Sequence, residues 1–404
     1  MNQNNGYIKE VISIEKLALQ RNKYSHLSDD QFRFMLQQID GRQRTQEKLP
    51  SFAKIDDWWY PSRLSCEQCS SEITARYKAI LLESLLQYSP YTLADLTGGY
   101  GVDTYFMSEN TDETHYVERN EELCRIAKHN FEKKRPQIHI HNTDAVHFLQ
   151  SMQPCDVIYI DPARRDSNGG KVFKIENCEP DITKIMDLLF AKSKLLIIKL
   201  SPMLDINSAL KSINMPCSVN ILAVRNEVKE VLICIRDTPI KINRIRAIHF
   251  ISNERLDTRQ ELEFTLEEEK GAICKVYDKQ YSEGLTEGTY IYEPNVAIIK
   301  AGAYKVIAQR YDLCKMAINT HLYISDQLVT DFPGRVWKLV SSDIKKQKDI
   351  RANIMTRNYP LSPDQLRKKL KIKDSDTHTI IGARLADKPI LLLAERINQH
   401  TASR

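Results

Sequence analysis

From about residue 73 to residue 236 the chain switches repeatedly between two hydrophobic periodicities. Apolar positions at three- and four-residue spacing predict helices over 73–87, 126–134, 146–151 and 182–191. Between them, short apolar runs bounded by polar turns predict strands at 92–96, 114–118, 137–141, 156–160 and 194–200. Such alternation predicts a parallel sheet with helices on both faces. The end of the stretch is more discriminating. Runs 219–224 and 230–235 are joined only by the polar segment 225–229, which is too short for a crossover. A hairpin follows, so the last strand must be antiparallel.

The flanks read differently. Residues 1–75 are predicted to be a helical region that carries the aromatic knot Trp58-Trp59-Tyr60-Pro61. Such a cluster is expected to pack, because large aromatic side chains dominate burial energetics. Residues 237–288 hold three strand-like runs, 242–251, 261–266 and 272–277, and predict a small α+β unit. Residues 289–404 begin with a helical stretch at 296–311 and continue as strands mixed with basic segments. The expected domains are therefore 1–75, 76–236, 237–288 and 289–404.

Composition narrows the setting. The chain has 404 residues, 42% of them hydrophobic, enough for ordinary cores. Its apolar runs, such as 195–198 and 390–394, fall far short of the roughly 20 residues that span a bilayer. The N-terminus lacks the basic and apolar regions of a secretory signal, so a soluble cytoplasmic protein is expected. Nine dispersed cysteines do not suggest a disulfide framework. Cys66-Glu67-Gln68-Cys69 has metal spacing but no second ligand pair, and no metal is expected. The net charge is +5, yet residues 331–404 carry 16 Lys and Arg against 8 Asp and Glu. A basic C-terminal piece on a mildly acidic body points to a polyanion at one end of the molecule.

The chemistry lies at the carboxyl ends of the predicted strands, where open parallel sheets bind ligands. Asp95-Leu96-Thr97-Gly98-Gly99-Tyr100-Gly101 follows the first strand, and Asp161-Pro162-Ala163-Arg164-Arg165 follows the fourth. Glu118 ends the second strand, and Asp144-Ala145 follow the third. Four acids at four successive strand ends match the needs of S-adenosylmethionine. Thr97, Gly98, Gly99 and Gly101 would form a turn that the cofactor can approach closely. Asp95 would accept from the cationic amino group, directly or through water. Glu118 would bind the ribose hydroxyls, and Asp144 with the Ala145 amide the adenine. Methyl transfer is an in-line displacement, so alignment is the main task. Asp161 would accept a hydrogen from the incoming group while Pro162 fixes the loop. Arg164 and Arg165 could stack on a base or fork onto a phosphate.

Asp161 to Arg164 resembles the Asp/Asn-Pro-Pro-aromatic loop of methyltransferases acting on exocyclic base amines. It departs at Ala163, in place of the second proline, and at Arg164, in place of the aromatic residue. Over roughly residues 60–404 the chain resembles the bacterial class I methyltransferases with a THUMP-like C-terminal domain. The matching stretches are 68–77, 95–101, 161–166 and 292–302, the last reading Tyr-Glu-Pro-Asn-Val-Ala-Ile-Ile-Lys-Ala-Gly. The order of parts is similar to a Bacteroidetes subgroup with a small ferredoxin-like insert, which would occupy residues 237–288.

The resemblance implies a Rossmann-like α/β sheet of seven strands, the last antiparallel, followed by ferredoxin-like and THUMP-like α+β domains. It also implies S-adenosylmethionine as cofactor and RNA, tRNA or rRNA, as partner. Lys345 and Lys346, with Arg367, Lys368 and Lys369, are the RNA-binding candidates. Two other readings remain open at this point. One is a non-catalytic RNA-binding protein on the same scaffold, and the other a methyltransferase of a protein or small molecule.

Overall fold

A computed structural model describes residues 13–164, 175–236, 244–278, 285–344, 350–375 and 377–398. The chain divides into two compact units. The first comprises residues 1–200, 207–213 and 234–238; the second comprises 201–206, 214–233 and 239–404.

The first unit is built on helices α1 (Asp29–Thr45) and α2 (Glu72–Leu86) followed by strand β1 (Tyr91–Asp95). Next come α3 (Val102–Met107), β2 (Thr111–Glu118), α4 (Glu121–Phe131) and β3 (Ile138–Asn142). The series continues with α5 (Ala145–Ser151), β4 (Cys155–Ile160), α6 (Ile182–Lys192) and β5 (Ser193–Leu200). Pairing is parallel throughout these five strands, in the order β5-β4-β1-β2-β3. The order reverses beside β1, which places a crevice outside the carboxyl ends of β1 and β4.

Helix α2 starts where Ser71 accepts from the Thr74 amide at 3.4 Å and ends at Gln87 in the left-handed region, φ 64°. Its Ile73, Ala75, Tyr77, Leu81 and Leu82 are buried. Aromatic residues from before β1 pack into a shared core. Phe52, Trp58 and Tyr60 share one buried cluster with Tyr100, Phe106 and Phe131. Within it Phe52 lies 4.0 Å from Trp58 between ring centroids, and Trp58 Nε1 donates to the Tyr100 hydroxyl at 2.8 Å. The expected aromatic knot is therefore a packing element.

The second unit contains β6 (Ser218–Val224) and most of β7 (Glu227–Arg236), which turns back immediately after β6. The turn residues Arg225 and Asn226 have φ 49° and 62°, the two left-handed positions of a type I′ hairpin. His249 Nε2 accepts from the Asn226 amide at 2.8 Å and fixes that turn. The segment 237–288 departs from expectation. Its strands β8 (Arg244–Phe250) and β9 (Arg259–Thr265) extend the β6–β7 sheet instead of starting a separate one. β8 runs parallel to β6 and buries Ile245, Ala247, Ile248 and Phe250. That burial is the reason: four apolar side chains need a covered sheet. The run 272–277 makes only the isolated bridge Val276–Lys315.

A seven-stranded sheet completes this unit. Its strands are β10 (Tyr290–Pro294), β11 (Cys314–Ala317), β12 (Thr320–Ser325) and β13 (Gly334–Ser341), then β14 (Asn353–Thr356), β15 (His378–Leu385) and β16 (Lys388–Ile397). They lie in the order β11-β12-β10-β13-β16-β15-β14. Ile291, Leu322, Trp337, Ile381 and Leu392 fill its core. The helical stretch after β10 breaks in two, α7 (Val296–Ala301) and α8 (Tyr304–Arg310), because Gly302 adopts φ 76° between them. Helix α9 (Pro363–Leu370) follows β14. No helix among the described residues is long and apolar enough to cross a membrane.

Candidate active site

The carboxyl ends of β1, β2, β3 and β4 are tied together by hydrogen bonds. From β1, the Gly98 amide donates to Val117 O at 2.8 Å and the Gly99 amide to Glu118 Oε2 at 2.9 Å. Glu118 Oε1 accepts from the Asn120 amide at 2.8 Å. Glu118 O accepts from the Thr143 amide at 3.2 Å and from Asn142 Nδ2 at 3.0 Å, which joins β3. On the other side, Thr97 Oγ1 accepts from the Asp161 amide at 2.6 Å, which joins β4. The four acids thus belong to one continuous rim, although their carboxylates do different things.

The Asp95 carboxylate, expected to accept from a ligand's amino group directly or through water, is turned inward. It is 1% exposed, and both oxygens are engaged internally: Oδ1 by the Thr97 amide at 3.0 Å, Oδ2 by Thr104 Oγ1 at 2.5 Å. Burial raises its carboxyl to about 7 against the pull of those donors. Asp95 holds the turn in shape. Glu118 is half-buried with its two amide donors at the rim. Asp144 is exposed and caps α5, with Oδ1 accepting from Val146 at 2.8 Å and His147 at 3.2 Å; the half-buried Ala145 begins that helix. Asp161 is 38% exposed at its side chain, and Pro162 is buried.

The glycines also divide. A methyl group on Gly98 would meet the Tyr116 ring at 2.2 Å, and one on Gly101, where φ is 81°, the Phe131 ring at 2.5 Å. The protein's own aromatic packing therefore requires both. At Gly99, φ 55°, an added Cβ would find only Thr97 O, 3.8 Å away. Gly99 is the glycine of this turn that faces open space, and it adjoins Glu118.

Beyond Pro162 the chain pairs antiparallel with Cys178–Glu179, Ala163 opposite Glu179 and Arg164 opposite Cys178. Arg119 Nη1 donates to Glu179 Oε1 at 3.0 Å, which holds this stretch near the end of β2. Arg165 lies outside the described residues. Lys345 and Lys346 lie outside them too. Arg367, Lys368 and Lys369 are in the second unit, in the last turn of α9; Arg367 pairs with Asp374, while Lys368 and Lys369 are exposed.

Beneath Asp161 lies a buried polar cluster that motif reading missed. Lys199 Nζ sits 2.6 Å from Asp161 Oδ2, 3.5 Å from Asp103 Oδ2 and 3.1 Å from Ser70 Oγ. Lys78, with no exposed surface, reaches Asp103 Oδ1 at 2.8 Å. Tyr159 and Ser70 each donate to Asp103 Oδ2 at 2.7 Å. Burial would raise Asp103, but the Lys78 and Lys199 ammonium groups overcome it and hold the carboxyl well below its ordinary range. A signal was present in the sequence: Lys199 interrupts the apolar run Leu195-Leu196-Ile197-Ile198, and Lys78 lies inside an apolar helix face. Among the described residues no group of three His, Cys, Asp or Glu side chains is arranged to hold a metal.

Comparison with known proteins places these features in a family. A family described as a ferredoxin-like domain matches residues 290–333, and one described as THUMP domain-like matches residues 336–396. The ferredoxin-like match therefore falls beyond 237–288, the segment for which that character was expected. No curated protein matches. A crystal structure of a Porphyromonas gingivalis W83 protein assigned as a methyltransferase is 31% identical, over 95% of this chain and 98% of that one, with a TM-score of 0.79. A Thermus thermophilus 16S rRNA N2 G1207 methyltransferase, solved with AdoMet and guanosine, is 14% identical over 44% of this chain and 46% of its own, TM-score 0.34. The agreement with the Porphyromonas gingivalis structure covers nearly the whole of both chains. This chain belongs to the bacterial class I methyltransferase family that carries ferredoxin-like and THUMP-like C-terminal domains.

Proposed function

We propose that this protein is an S-adenosylmethionine-dependent methyltransferase that modifies a base in structured RNA in the cytoplasm, its C-terminal domain assisting RNA binding. The observation that carries the reading is the rim itself. Acids stand at the ends of β2, β3 and β4, and the Glu118 carboxylate accepts from the amide of Gly99, the glycine of the turn with open space at its α-carbon. That donor set fits a nucleoside cofactor: acceptors for a ribose diol at Glu118, an acceptor and an amide for an adenine edge at Asp144 and Ala145, and access at Gly99. Asp95 and Thr97 contribute by holding the turn. When bound, the cofactor supplies an electrophilic methyl group.

The chain's own residues then align an acceptor. Asp161 accepts a hydrogen from the incoming nucleophile, and buried Pro162 keeps the loop from swinging away. Arg164 and Arg165 contact the substrate base or its phosphates, with Arg165 outside the described residues. Lys368 and Lys369, together with Arg367, Lys345 and Lys346, supply positive charge for the RNA backbone. A base inside a duplex would have to be unstacked to reach the rim.

The test is transfer of labelled methyl groups to an extract of cells lacking the gene, separated into RNA and protein. Label in RNA supports the reading. Label confined to protein ends its RNA part, and a wild-type protein that does not bind S-adenosylmethionine in calorimetric titration ends the cofactor assignment.

A further inference from the structure

We infer that Lys199 is a positioning residue for the methyl-transfer site, acting by holding the Asp161 carboxylate through an ion pair anchored in the protein interior. The inference rests on the functional reading above and deepens it. Lys199 lies at the end of β5, next to β4, with a side chain 12% exposed. A charged ammonium there must be paired, because its hydration is lost. Its donors reach Asp161 Oδ2 at 2.6 Å, Ser70 Oγ at 3.1 Å and Asp103 Oδ2 at 3.5 Å.

Opposite charges meet in this cluster. Lys78 and Lys199 bring two positive charges, and Asp103 supplies one negative charge within the cluster. Asp161 supplies the second, from the loop at the rim. The rim acid is thereby tied to the protein interior. Asp103 is itself fixed by Lys78, Ser70 and Tyr159, so Lys199 pulls against a rigid anchor. The backbone is fixed as well, by the Asp161 amide donating to Thr97 Oγ1 at 2.6 Å. With Oδ2 committed to Lys199, Oδ1 is the oxygen left to accept from a substrate N–H. Among the described residues no donor occupies it. A single oriented acceptor suits an exocyclic amine, which must present its lone pair to the methyl while one hydrogen is held.

The experiment uses the full-length protein and compares wild type with Lys199→Met, Lys199→Arg, Asp161→Asn and the Lys199→Met/Asp161→Asn double variant. Each is assayed for methyl transfer to unmodified RNA and for S-adenosylmethionine affinity by calorimetry. The expected result is a roughly hundredfold fall in kcat for Lys199→Met, with KM for RNA and cofactor affinity each within about threefold of wild type. Lys199→Arg should regain at least tenfold of that loss, and the double variant should be no slower than Asp161→Asn alone. A merely structural lysine would give additive losses, or a loss in cofactor affinity, and either result overturns the inference while leaving the functional reading intact. A wild-type protein that transfers no methyl group to any RNA overturns the functional reading and the inference with it. Should Lys199→Met fail to fold, Lys199→Gln carries the same comparison.

Discussion

The backbone amide of Gly99 donates to Oε2 of Glu118 at 2.9 Å, across 19 residues of sequence. This contact joins the turn after β1 to the acid at the end of β2, and it sets Glu118 beside the open face of Gly99. The same carboxylate receives the Asn120 amide, so its place is fixed before any ligand arrives.

Glu118→Ala should therefore weaken S-adenosylmethionine binding while leaving the fold in place. A hydrogen bond to a charged group contributes about 1.5–3 kcal/mol, which corresponds to roughly a 10- to 150-fold rise in Kd. Calorimetric titration checks it. An unchanged Kd would move the ribose away from this acid.

The two neighbouring glycines should respond differently to a methyl group. Gly98→Ala drives a Cβ into the Tyr116 ring, and overpacking of this kind costs about 1–3 kcal/mol of stability. Gly99→Ala meets no such obstacle; only its left-handed backbone opposes it, at a cost of about 1–2 kcal/mol. Its larger effect should be on cofactor affinity, because the methyl enters the space beside Glu118. Thermal melts with and without S-adenosylmethionine separate the two. Equal loss of ligand-induced stabilisation in both variants would contradict the assignment of open space to Gly99.

Asp95 should make stability depend on pH. Burial raises its carboxyl from 3.8 to about 7, so the folded state favours the protonated form. This contribution is fully present below about pH 4 and is lost as pH rises through about 7. Between those limits it opposes folding by about 1.4 kcal/mol for each unit of rising pH. Asp95→Asn keeps an acceptor for Thr97 or Thr104 but cannot ionise, so its melting temperature should fall less than that of wild type between pH 5 and 7. Parallel curves for the two proteins would mean that Asp95 does not change ionisation in that range.

On the second unit, Lys368→Ala and Lys369→Ala should weaken RNA binding uniformly across sequences. If both contact phosphates, the slope of log K against log salt should fall by about 0.7–0.9 for each lysine removed. Fluorescence anisotropy across a salt series measures it. Arg367 should contribute less, since its guanidinium is already paired with Asp374.

Much of this was legible along the chain because the period of the hydrophobic pattern is a local property. β1 was expected at 92–96 and is Tyr91–Asp95; β5 was expected at 194–200 and is Ser193–Leu200. The hairpin at 225–229 followed from chain length alone. By contrast, the strands of 237–288 could be recognised as strands, but not the sheet they join, because edge pairing is decided by which apolar faces need cover. The break in the helix after β10 also escaped the pattern, since the apolar spacing continues through Gly302 while its backbone does not.

The site divides in the same way. Sequence by itself determined the acids at the strand ends, the glycine turn between them, the Asp161-Pro162 loop and the family, all of them readable from residue type and spacing. Only tertiary structure decided what each acid does. Asp95 turned inward because Thr97 and Thr104 satisfy it there, and Gly98 and Gly101 answer to Tyr116 and Phe131. The pairing of Lys199 with Asp161 spans 38 residues and two strands. The reason is physical: spacing fixes which side chains leave a strand end together, whereas burial and charge balance depend on partners that arrive from elsewhere in the chain.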